Sequence, residues 1–341
     1  MGSYKKITIS QIAEAAHVSV ATVSRLINKT GYVKPETRKK ILDAMDELDF
    51  HQKNPDVIKN TNSILVCLPD FHNPFNGDVI DGIQSVALSR GYQTFYYEAK
   101  DFKNALTDYE NILKKHLFSG ILLVHNVVDL ELLDDLRLRY PVVMCSEHCD
   151  KSNVSFVSID DNIAAQNAIN YLITIGRTKI AFINSMLKNN YAKHREKGVL
   201  HALKHAGLTL NLDWIAHIAD INFDMAVSAA TSMLSMAERP DAFFCVSDVY
   251  AAAVIKAANG LHLRVPEDVA VMGFDNISLS TMTVPSLTTI SQPSFQIGQQ
   301  SCDILINQIE NPASAIKHVI LNTELVIRDS TGHRAAQGSD K

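Results

Sequence analysis

The sequence lacks the features of a secreted or membrane-spanning protein. It has no signal-peptide pattern and no apolar run long enough to cross a bilayer. Its five cysteines are an odd number, which does not suit a complete set of disulfides. We therefore expect a protein of the reducing cytoplasm, with no membrane partner and no role as a secreted binding protein.

Motifs of common enzymes and metal sites are also missing. The sequence contains no G-x-x-x-x-G-K-[ST], no G-x-G-x-x-G after a strand, no G-x-S-x-G and no H-E-x-x-H. Cys145, His148 and Cys149 lie close together, but no matching fourth ligand accompanies them. We therefore expect no catalytic residues, no metal and no other cofactor.

Charge is distributed unevenly along the chain. Eight Lys and Arg against two Glu give residues 1–40 a balance of +6, whereas the whole chain carries −5. A basic segment on an acidic body predicts contact with nucleic acid at one end of the molecule.

The segment VSVATVSRLIN, residues 18–28, predicts a helix with an unusual outer face. Ser19 is a favourable N-cap, and the spacing of Val23 and Ile27 puts both on the buried side. The other side then carries small apolar groups, a hydroxyl and one long cation: Val20, Ala21, Ser24 and Arg25. Such a face suits the major groove of DNA, where thymine methyls accept apolar contact and arginine pairs with guanine. An ordinary helical hairpin has the same core spacing, so the face alone leaves both interpretations open.

The flanking segments complete a helix-turn-helix pattern. Thr8-Ile9-Ser10-Gln11 has the sequence of a capping box that opens an earlier helix. His17, in the turn, tolerates positive φ better than most residues. A third helix is predicted from Pro35 through Leu48. Together these helices predict a small DNA-binding domain at residues 1–49.

From residue 63 onward, short β-branched or aromatic runs alternate with amphipathic stretches. The runs SILVCL, YQTFYY, GILLVH and PVVMCS alternate with predicted helices at 75–90, 103–116 and 129–138. The alternation resumes at 161 and continues through KIAFI, AFFCV and VAVMGF. This pattern predicts two lobes, each built on a doubly wound parallel sheet. Ligands of such folds bind beyond the carboxyl ends of the strands, so we expect a ligand cleft between the lobes.

The run TISQIAEAAHVSVATVSRLIN resembles the DNA-binding headpiece of the lactose-repressor family, T-I-x-D-V-A-x-x-A-G-V-S-x-x-T-V-S-R-x-L-N. The departures fall on capping, core or turn positions: Gln11, Ile12, His17 and Ile27. The resemblance implies that Val20, Ala21 and Arg25 read bases. A second group would hold the DNA backbone and comprises Lys6, Thr8, Ser19, Thr22, Ser24 and Asn28.

The resemblance continues through the core, where PDFHNPFNGDVIDGI, YLITIGRTKIAFI, HREKGV, SDVYAAAVIKA, VPEDVAVMGFDNI and PSLTTISQP follow in family order. It implies a periplasmic-binding-protein-like α/β core joined to a small all-α helix-turn-helix headpiece. We place a linker at 50–62, the core at 63–331 and a disordered tail at 332–341. The first lobe is assigned 63–160 and 291–320, and the second 161–290 and 321–331. GFDNISLS and PSLTTISQPSFQIGQQS are also similar to the cytidine regulator of this family.

Candidate ligand-binding residues follow from strand ends and from the resemblance. Asp275 directly follows the strand VMGF, where a carboxylate can accept hydrogen bonds from two hydroxyls of a sugar or ribose; a turn aspartate is the alternative. Arg195 aligns with a ligand-binding arginine of the family, and a helix-surface arginine is the alternative. Ser247 and Asp248 either contact ligand or cap a helix. The other candidates are Asp70, Asn73, Phe75, Asn76, Ile221 and Phe223.

Two of these positions bear on the ligand's chemistry. An amide at Asn76, where relatives carry an aromatic residue, makes the wall more hydrogen-bonding and favours a polyhydroxylated ligand. Ile221 falls where many relatives carry a stacking aromatic residue, which weakens the case for a purine-like ligand.

The connector between headpiece and core departs most from the family pattern. Relatives place a short hinge helix here, which folds on the operator and inserts a Leu pair into the minor groove. In this chain the connector is shorter, Pro55 disfavours helix at Asn54, and only Val57 and Ile58 could act as a wedge. We expect a flexible tether; one helical turn at 55–60 on DNA is the alternative.

These features predict a ligand-controlled transcription repressor. It would bind double-stranded, near-palindromic operator DNA as a homodimer, because one headpiece buries too little surface for full specificity. Its effector would be small and polar: a sugar, a sugar derivative or a nucleoside. The alternative is a solute-binding sensor module that does not bind DNA.

Overall fold

The computed structural model describes residues 8–28, 30–48, 62–98, 109, 112–113, 118–124, 130–148, 152–219 and 221–332. Several sequence predictions lie outside these residues: Lys6, Val57, Ile58, Cys149, most of the helix at 103–116, most of the connector, and the tail. Among the described residues, no helix combines the length and the apolar character needed to cross a bilayer.

The amino-terminal segment folds into α1 (Ile9–Ala15), α2 (Val20–Asn28) and α3 (Pro35–Glu47). Thr8 and Gln11 form the predicted capping box, in which each side chain accepts a hydrogen bond from the other residue's backbone N–H. His17 has a φ of 54°, which confirms the predicted turn between α1 and α2. Val23 and Ile27 are buried with residues from the other two helices, so the headpiece has a core of its own.

The strands of the described residues form two six-stranded sheets with the same layout. The first has the order β11-β5-β4-β3-β1-β2 and is parallel throughout. Its strands are β1 (Ser63–Leu68), β2 (Gln93–Glu98), β3 (Gly120–Leu123), β4 (Val142–Cys145), β5 (Ser155–Ile159) and β11 (His318–Leu321).

The second sheet has the order β12-β10-β9-β8-β6-β7, and only β12 runs antiparallel to its neighbour. Its strands are β6 (Ile180–Ser185), β7 (Ile215–Ile218), β8 (Ala242–Cys245), β9 (Ala270–Asp275), β10 (Thr288–Ser291) and β12 (Glu324–Val326). The central strands of both sheets are buried along all or nearly all of their length, as expected for sheets covered by helices on both faces. The predicted pair of doubly wound lobes is confirmed.

The helices of the core are α4 (Phe75–Ser89), α5 (Leu130–Arg137), α6 (Asp161–Thr174), α7 (Asn190–His205), α8 (Phe223–Leu234), α9 (Asp248–Gly260), α10 (Leu279–Met282) and α11 (Ser294–Glu310). The helices predicted at 75–90 and 129–138 correspond to α4 and α5, which begin and end within one residue of those bounds. The chain passes between the two sheets three times, after β5, after β10 and after β11. Such crossings form a hinge around which the lobes can move.

Two glycines let α4 and α11 pack in close contact in the first lobe. A Cβ at Gly82 would lie 2.1 Å from the carbonyl oxygen of Phe295, and a Cβ at Gly298 would lie 2.1 Å from that of Val79. Each glycine therefore faces the backbone of the opposite helix, and neither position has room for a side chain.

The headpiece rests against α5 of the first lobe. Arg38, on α3, pairs with Asp135 at 2.6 Å and donates to the carbonyl oxygen of Glu131 at 2.8 Å. Leu138, just after α5, is buried in the headpiece core. An arginine of α3 thus pairs with the acidic helix α5, and this contact joins the headpiece to the first lobe.

Candidate functional site

A cleft between the two lobes gathers the polar groups at the carboxyl ends of both sheets. It contains about 940 Å³ of space, including the part that opens to solvent. The first lobe contributes the loop after β1 and the start of α4, together with the ends of β3 and β4. The second lobe contributes α7 and the segments after β7, β8 and β9. The cleft thus lies where the sequence pattern predicted it.

Strained backbone marks two of these strand ends. Asp275 has a φ of 105° at the end of β9, and Ser146 has a φ of 70° directly after β4. Both residues line the cleft. Non-glycine residues adopt such angles at a cost, and they concentrate at ligand sites. The strain at Asp275 is held in place by Gln292, whose Nε2 donates to the Asp275 carboxyl at 2.7 Å.

Arg195, on α7, lines the cleft but is fixed by the protein itself. Its Nε donates to Asp161 at 2.8 Å, and its Nη1 donates to the carbonyl oxygen of Val246 at 2.7 Å. The guanidinium carbon also lies 3.5 Å from the centroid of the Phe274 ring. The alternative of a helix-surface arginine is therefore wrong, since Arg195 is almost completely buried. Its buried partner Asp161 was not singled out from the sequence.

Two cleft carboxyls are protonated more readily than usual. Burial raises the pKa of Asp275 to about 8, against the opposing charge of Arg195. Burial likewise raises the pKa of Glu147 to about 8, and the charge of Asp161 raises it further. Glu147 was not predicted from the sequence, although it is the second residue after the strand PVVMC and thus obeys the strand-end rule that identified Asp275.

The start of α4 brings Asp70, Asn73, Phe75 and Asn76 together on the first-lobe wall, and all four line the cleft. The Asn73 side chain accepts from the backbone N–H of Phe75 at 3.2 Å and so orders the beginning of the helix. Asn76 is buried and donates to the carbonyl oxygen of Asp70 at 2.7 Å. The amide oxygen of Asn76 is the group left to meet a ligand donor.

On the second lobe, Ile221 and Ser247 line the cleft, and Ser247 also caps α9 by accepting from the backbone N–H of Tyr250 at 3.2 Å. The two interpretations of Ser247 are therefore compatible.

The prediction that Asp248 and Phe223 bind the ligand is wrong, because neither residue lines the cleft. Asp248 is fully buried inside the second lobe, where it accepts from the Thr289 hydroxyl at 2.6 Å and the Ile277 backbone N–H at 2.8 Å. Phe223 begins α8 and packs beneath Lys256, whose Nζ lies 5.3 Å from the ring centroid.

The predicted DNA-reading face is present on α2. Val20 is 49% exposed, and Ala21, Arg25 and Asn28 are exposed beside it. The Ser19 hydroxyl accepts from the Thr22 backbone N–H at 3.1 Å, which confirms the predicted N-cap.

The hydroxyls on this helix are ordered by local hydrogen bonds. Ser19 and Thr22 share one at 2.7 Å, and Asn28 donates to Ser24 at 3.1 Å. The exposed face thus combines apolar groups, one arginine and oriented polar groups.

The structure separates the cysteine and histidine that the sequence places near each other. Cys145 is buried within β4, whereas the His148 ring stacks on Phe156 at 4.6 Å between centroids. In the described part of the chain, one other group has the spacing of metal ligands: Asp70, His72 and Glu98. Its histidine is almost fully exposed, and Asp70 accepts from the backbone N–H of His72, so the group forms an open surface turn.

Comparison with family models assigns both parts of the chain. Residues 8–53 match the bacterial regulatory proteins of the lacI family, and residues 169–331 match a periplasmic binding protein-like domain.

Similarity to individual proteins spans nearly the whole chain. The HTH-type transcriptional repressor PurR of Photobacterium profundum is 31% identical over 331 residues, which are 95% of this chain and 98% of that protein. The HTH-type transcriptional repressor CytR of Escherichia coli is 30% identical over 328 residues, 95% of this chain and 96% of that one. These identities do not separate the two repressors, so the likeness of the carboxyl-terminal half to the cytidine regulator assigns no effector.

A solved structure covers both domains. The transcriptional regulator CelR in complex with cellobiose matches with a TM-score of 0.73 and 26% identity, covering 95% of this chain and 99% of that one. The arrangement of headpiece and two-lobed core is therefore shared with a regulator whose structure contains a sugar.

Proposed function

The chain belongs to the lacI family of bacterial regulatory proteins, and from that membership we propose how its two sites work together. It is a DNA-binding transcription regulator, and it acts as a repressor whose operator affinity is set by a small polar effector in the interlobe cleft. Two headpieces of a homodimer read the two halves of a near-palindromic operator in the cytoplasm.

The α2 face is the observation that carries this function. Val23 and Ile27 hold the helix on the headpiece core, while Val20, Ala21 and Arg25 remain exposed. A helix that leaves small apolar groups and one arginine exposed, within a segment (residues 1–40) of charge +6, is suited to base edges flanked by phosphates.

The composition of the cleft supports a polar effector. Its lining includes carboxyls, amides and hydroxyls from both lobes, such as Asp275, Asn76 and Ser247. The sugar in the CelR complex has the many hydroxyl groups that such a lining can bind. No residue of the cleft is assigned a catalytic role, because binding and release explain the arrangement without a reaction.

Connectivity suggests how the cleft communicates with the headpiece. Val124 lines the cleft after β3, and Glu147 lines it after β4. The segment between these strands contains α5, which carries the contact between Asp135 and Arg38 of the headpiece. Movement of the strand ends when the lobes close would therefore shift the surface on which the headpiece rests.

The test begins with random duplex DNA and the full-length protein. Repeated selection by mobility shift should enrich a near-palindromic sequence, and the complex should contain two chains per duplex. A screen of sugars, sugar derivatives and nucleosides by thermal shift should then give compounds that change affinity for the enriched duplex. A ligand at 100-fold its Kd adds about 2.7 kcal/mol to stability, which such a screen detects.

The alternative, a solute sensor without DNA binding, predicts a different pair of results. Compounds would still stabilise the protein, but selection would enrich no sequence. The match of residues 8–53 to the family's DNA-binding model favours the regulator over this alternative.

A further inference from the structure

Buried carboxyls outnumber buried cations at the floor of the cleft. Glu147, Asp161 and Asp275 are 8%, 5% and 9% exposed, and they come from the loop after β4, from α6 and from the end of β9. Arg195 is the cation among them, and its ion pair at 2.8 Å is made with Asp161. Among the described residues, neither Glu147 nor Asp275 has an ion-pair partner within salt-bridge distance. The buried carboxyls at the floor therefore outnumber the buried cation, although Lys188 also lines the cleft.

Groups of the second lobe face the Glu147 carboxyl and influence its charge. Asp161 opposes ionisation of Glu147, whereas Arg195 and Lys193 favour it. Lys193 is exposed on α7, so water screens its charge. The backbone N–H of Tyr191 also faces the Glu147 carboxyl and stabilises its charged form. Even with these contributions, burial dominates and the pKa of Glu147 rises to about 8.

In the ligand-free protein at neutral pH, bound protons neutralise the carboxyls of Glu147 and Asp275. Glu147 and Asp275 both have a pKa of about 8, so each holds a proton for most of the time at pH 7. A ligand cation beside them would favour the charged carboxylates and displace those protons. A ligand phosphate or carboxylate would instead add negative charge to a site that already has an excess of acidic groups.

Glu147 lies at the junction of the two lobes, where a bound ligand can contact both. It follows β4 of the first lobe, yet it faces the first turn of α7 in the second lobe. The backbone carbonyl of the next residue, His148, accepts from the side chain of Asn190 at 3.0 Å across the same junction. A group bound at Glu147 therefore contacts the point where the lobes meet, which links its binding to lobe closure.

Resting on the function proposed above, we propose that Glu147 is the residue that selects the effector, and that the effector is a hydroxylated amine bound in its protonated form. Its ammonium group lies against Glu147, and its hydroxyls contact Asp275 and the amides and hydroxyls of the cleft wall. An amino sugar has this chemistry. A sugar phosphate and a simple neutral sugar do not.

Matched compounds test the proposal on the full-length protein at pH 7. Glucosamine, galactosamine and mannosamine are compared with their N-acetyl forms, which keep the ring but lose the charge, and with their 6-phosphates. At least one amine should stabilise the protein against heat and bind at least about tenfold more tightly than its N-acetyl and phosphate forms. Calorimetry in two buffers of different ionisation enthalpy should show that its binding releases protons.

Two variants assign the effect to Glu147. Glu147→Gln should weaken binding of the amine by between about tenfold and a hundredfold and reduce the proton release. Glu196→Gln is the matched control, since Glu196 is a half-buried glutamate of α7 that pairs with His217 outside the cleft. It should keep the wild-type affinity. Binding of the enriched operator by each variant verifies that it is folded.

The proposal is overturned if none of the amines stabilises the protein, if an N-acetyl form or a phosphate binds as well, or if Glu147→Gln binds the amine as the wild type does. These results leave operator selection untouched, so they are distinct from failure of the proposed regulator, which would show as the absence of any enriched DNA sequence.

Discussion

Replacing Asp275 by Asn should make the ligand-free protein more stable at neutral and alkaline pH. The Asn side chain can still accept the hydrogen bond that Gln292 donates at 2.7 Å, and Asn tolerates the φ of 105° at this position. The substitution therefore removes the titratable group with little change in shape.

The size of the effect follows from the pKa. Burial raises the pKa of Asp275 from 3.8 to about 8 in the folded protein. The folded state keeps the proton up to about pH 8, whereas the unfolded chain loses it near pH 4, so raising the pH across this window favours unfolding of the wild type. Each pKa unit corresponds to about 1.4 kcal/mol, which gives an upper bound of about 6 kcal/mol.

Urea titrations from pH 5 to pH 9 measure the difference. The gap in unfolding free energy between Asp275→Asn and the wild type should widen with pH, by up to about 1.4 kcal/mol per unit, and become constant above pH 8. The chain has several domains, so the comparison uses the transition of the core rather than a single two-state fit.

Asp268→Asn is the control of opposite sign. Arg264 donates hydrogen bonds to Asp268 and holds its pKa well below the ordinary value, so its charge contributes stability above about pH 4. This variant should therefore be less stable than the wild type by an amount that does not change between pH 5 and pH 9. A gap for Asp275→Asn that does not change between pH 5 and pH 8 would refute the account, because it would mean that Asp275 is ionised in the folded protein at neutral pH.

Three other substitutions or changes have defined outcomes. Asp161→Ala leaves Arg195 without its buried counter-ion and should lower the free energy of unfolding in urea by about 3–5 kcal/mol at pH 5. The loss should be smaller at pH 8, because Glu147 can then ionise and balance the charge of Arg195. An equal loss at both pH values would show that Glu147 does not interact with Arg195. Gly82→Ala should lower the melting temperature by forcing α4 and α11 apart, at a cost of about 1–3 kcal/mol or more, whereas Gly77→Ala, on the same helix with nothing within 4 Å of its Cβ, should not. Inserting one or two base pairs between the operator half-sites should reduce affinity only slightly if the connector is a flexible tether; a steep loss, with strong DNA bending in circular-permutation gels, would show a rigid hinge.

Local features of the sequence predicted local structure well. The capping box at Thr8 and the positive φ at His17 depend on neighbouring residues only, and both are confirmed. The alternation of strands and helices likewise predicted two parallel sheets, because each βαβ unit is encoded within one short stretch of chain. The contact between Arg38 and Asp135, by contrast, joins residues far apart in the chain, and no local pattern indicates it.

The cleft was predicted less completely because a strand end does not show where its side chains point. Asp275 and Asp248 both follow buried strands, yet Asp275 lines the cleft and Asp248 lies inside the lobe. Glu147 obeys the same rule, but it becomes prominent only when Asp161 and Arg195 are placed beside it. The charge balance of the floor is a property of three segments together, and the sequence does not give the distances between them.

A competition mobility-shift assay that compares specific and random DNA tests most directly whether the α2 face reads bases. Arg25→Ala should lose about 1–3 kcal/mol of binding free energy on the enriched operator and much less on random duplex, because Arg25 pairs with a base. Arg264→Ala removes an exposed arginine of the core and should keep wild-type affinity for both. An equal loss on operator and random DNA for Arg25→Ala would make Arg25 a phosphate contact, and no loss on either would show that the α2 face does not read DNA.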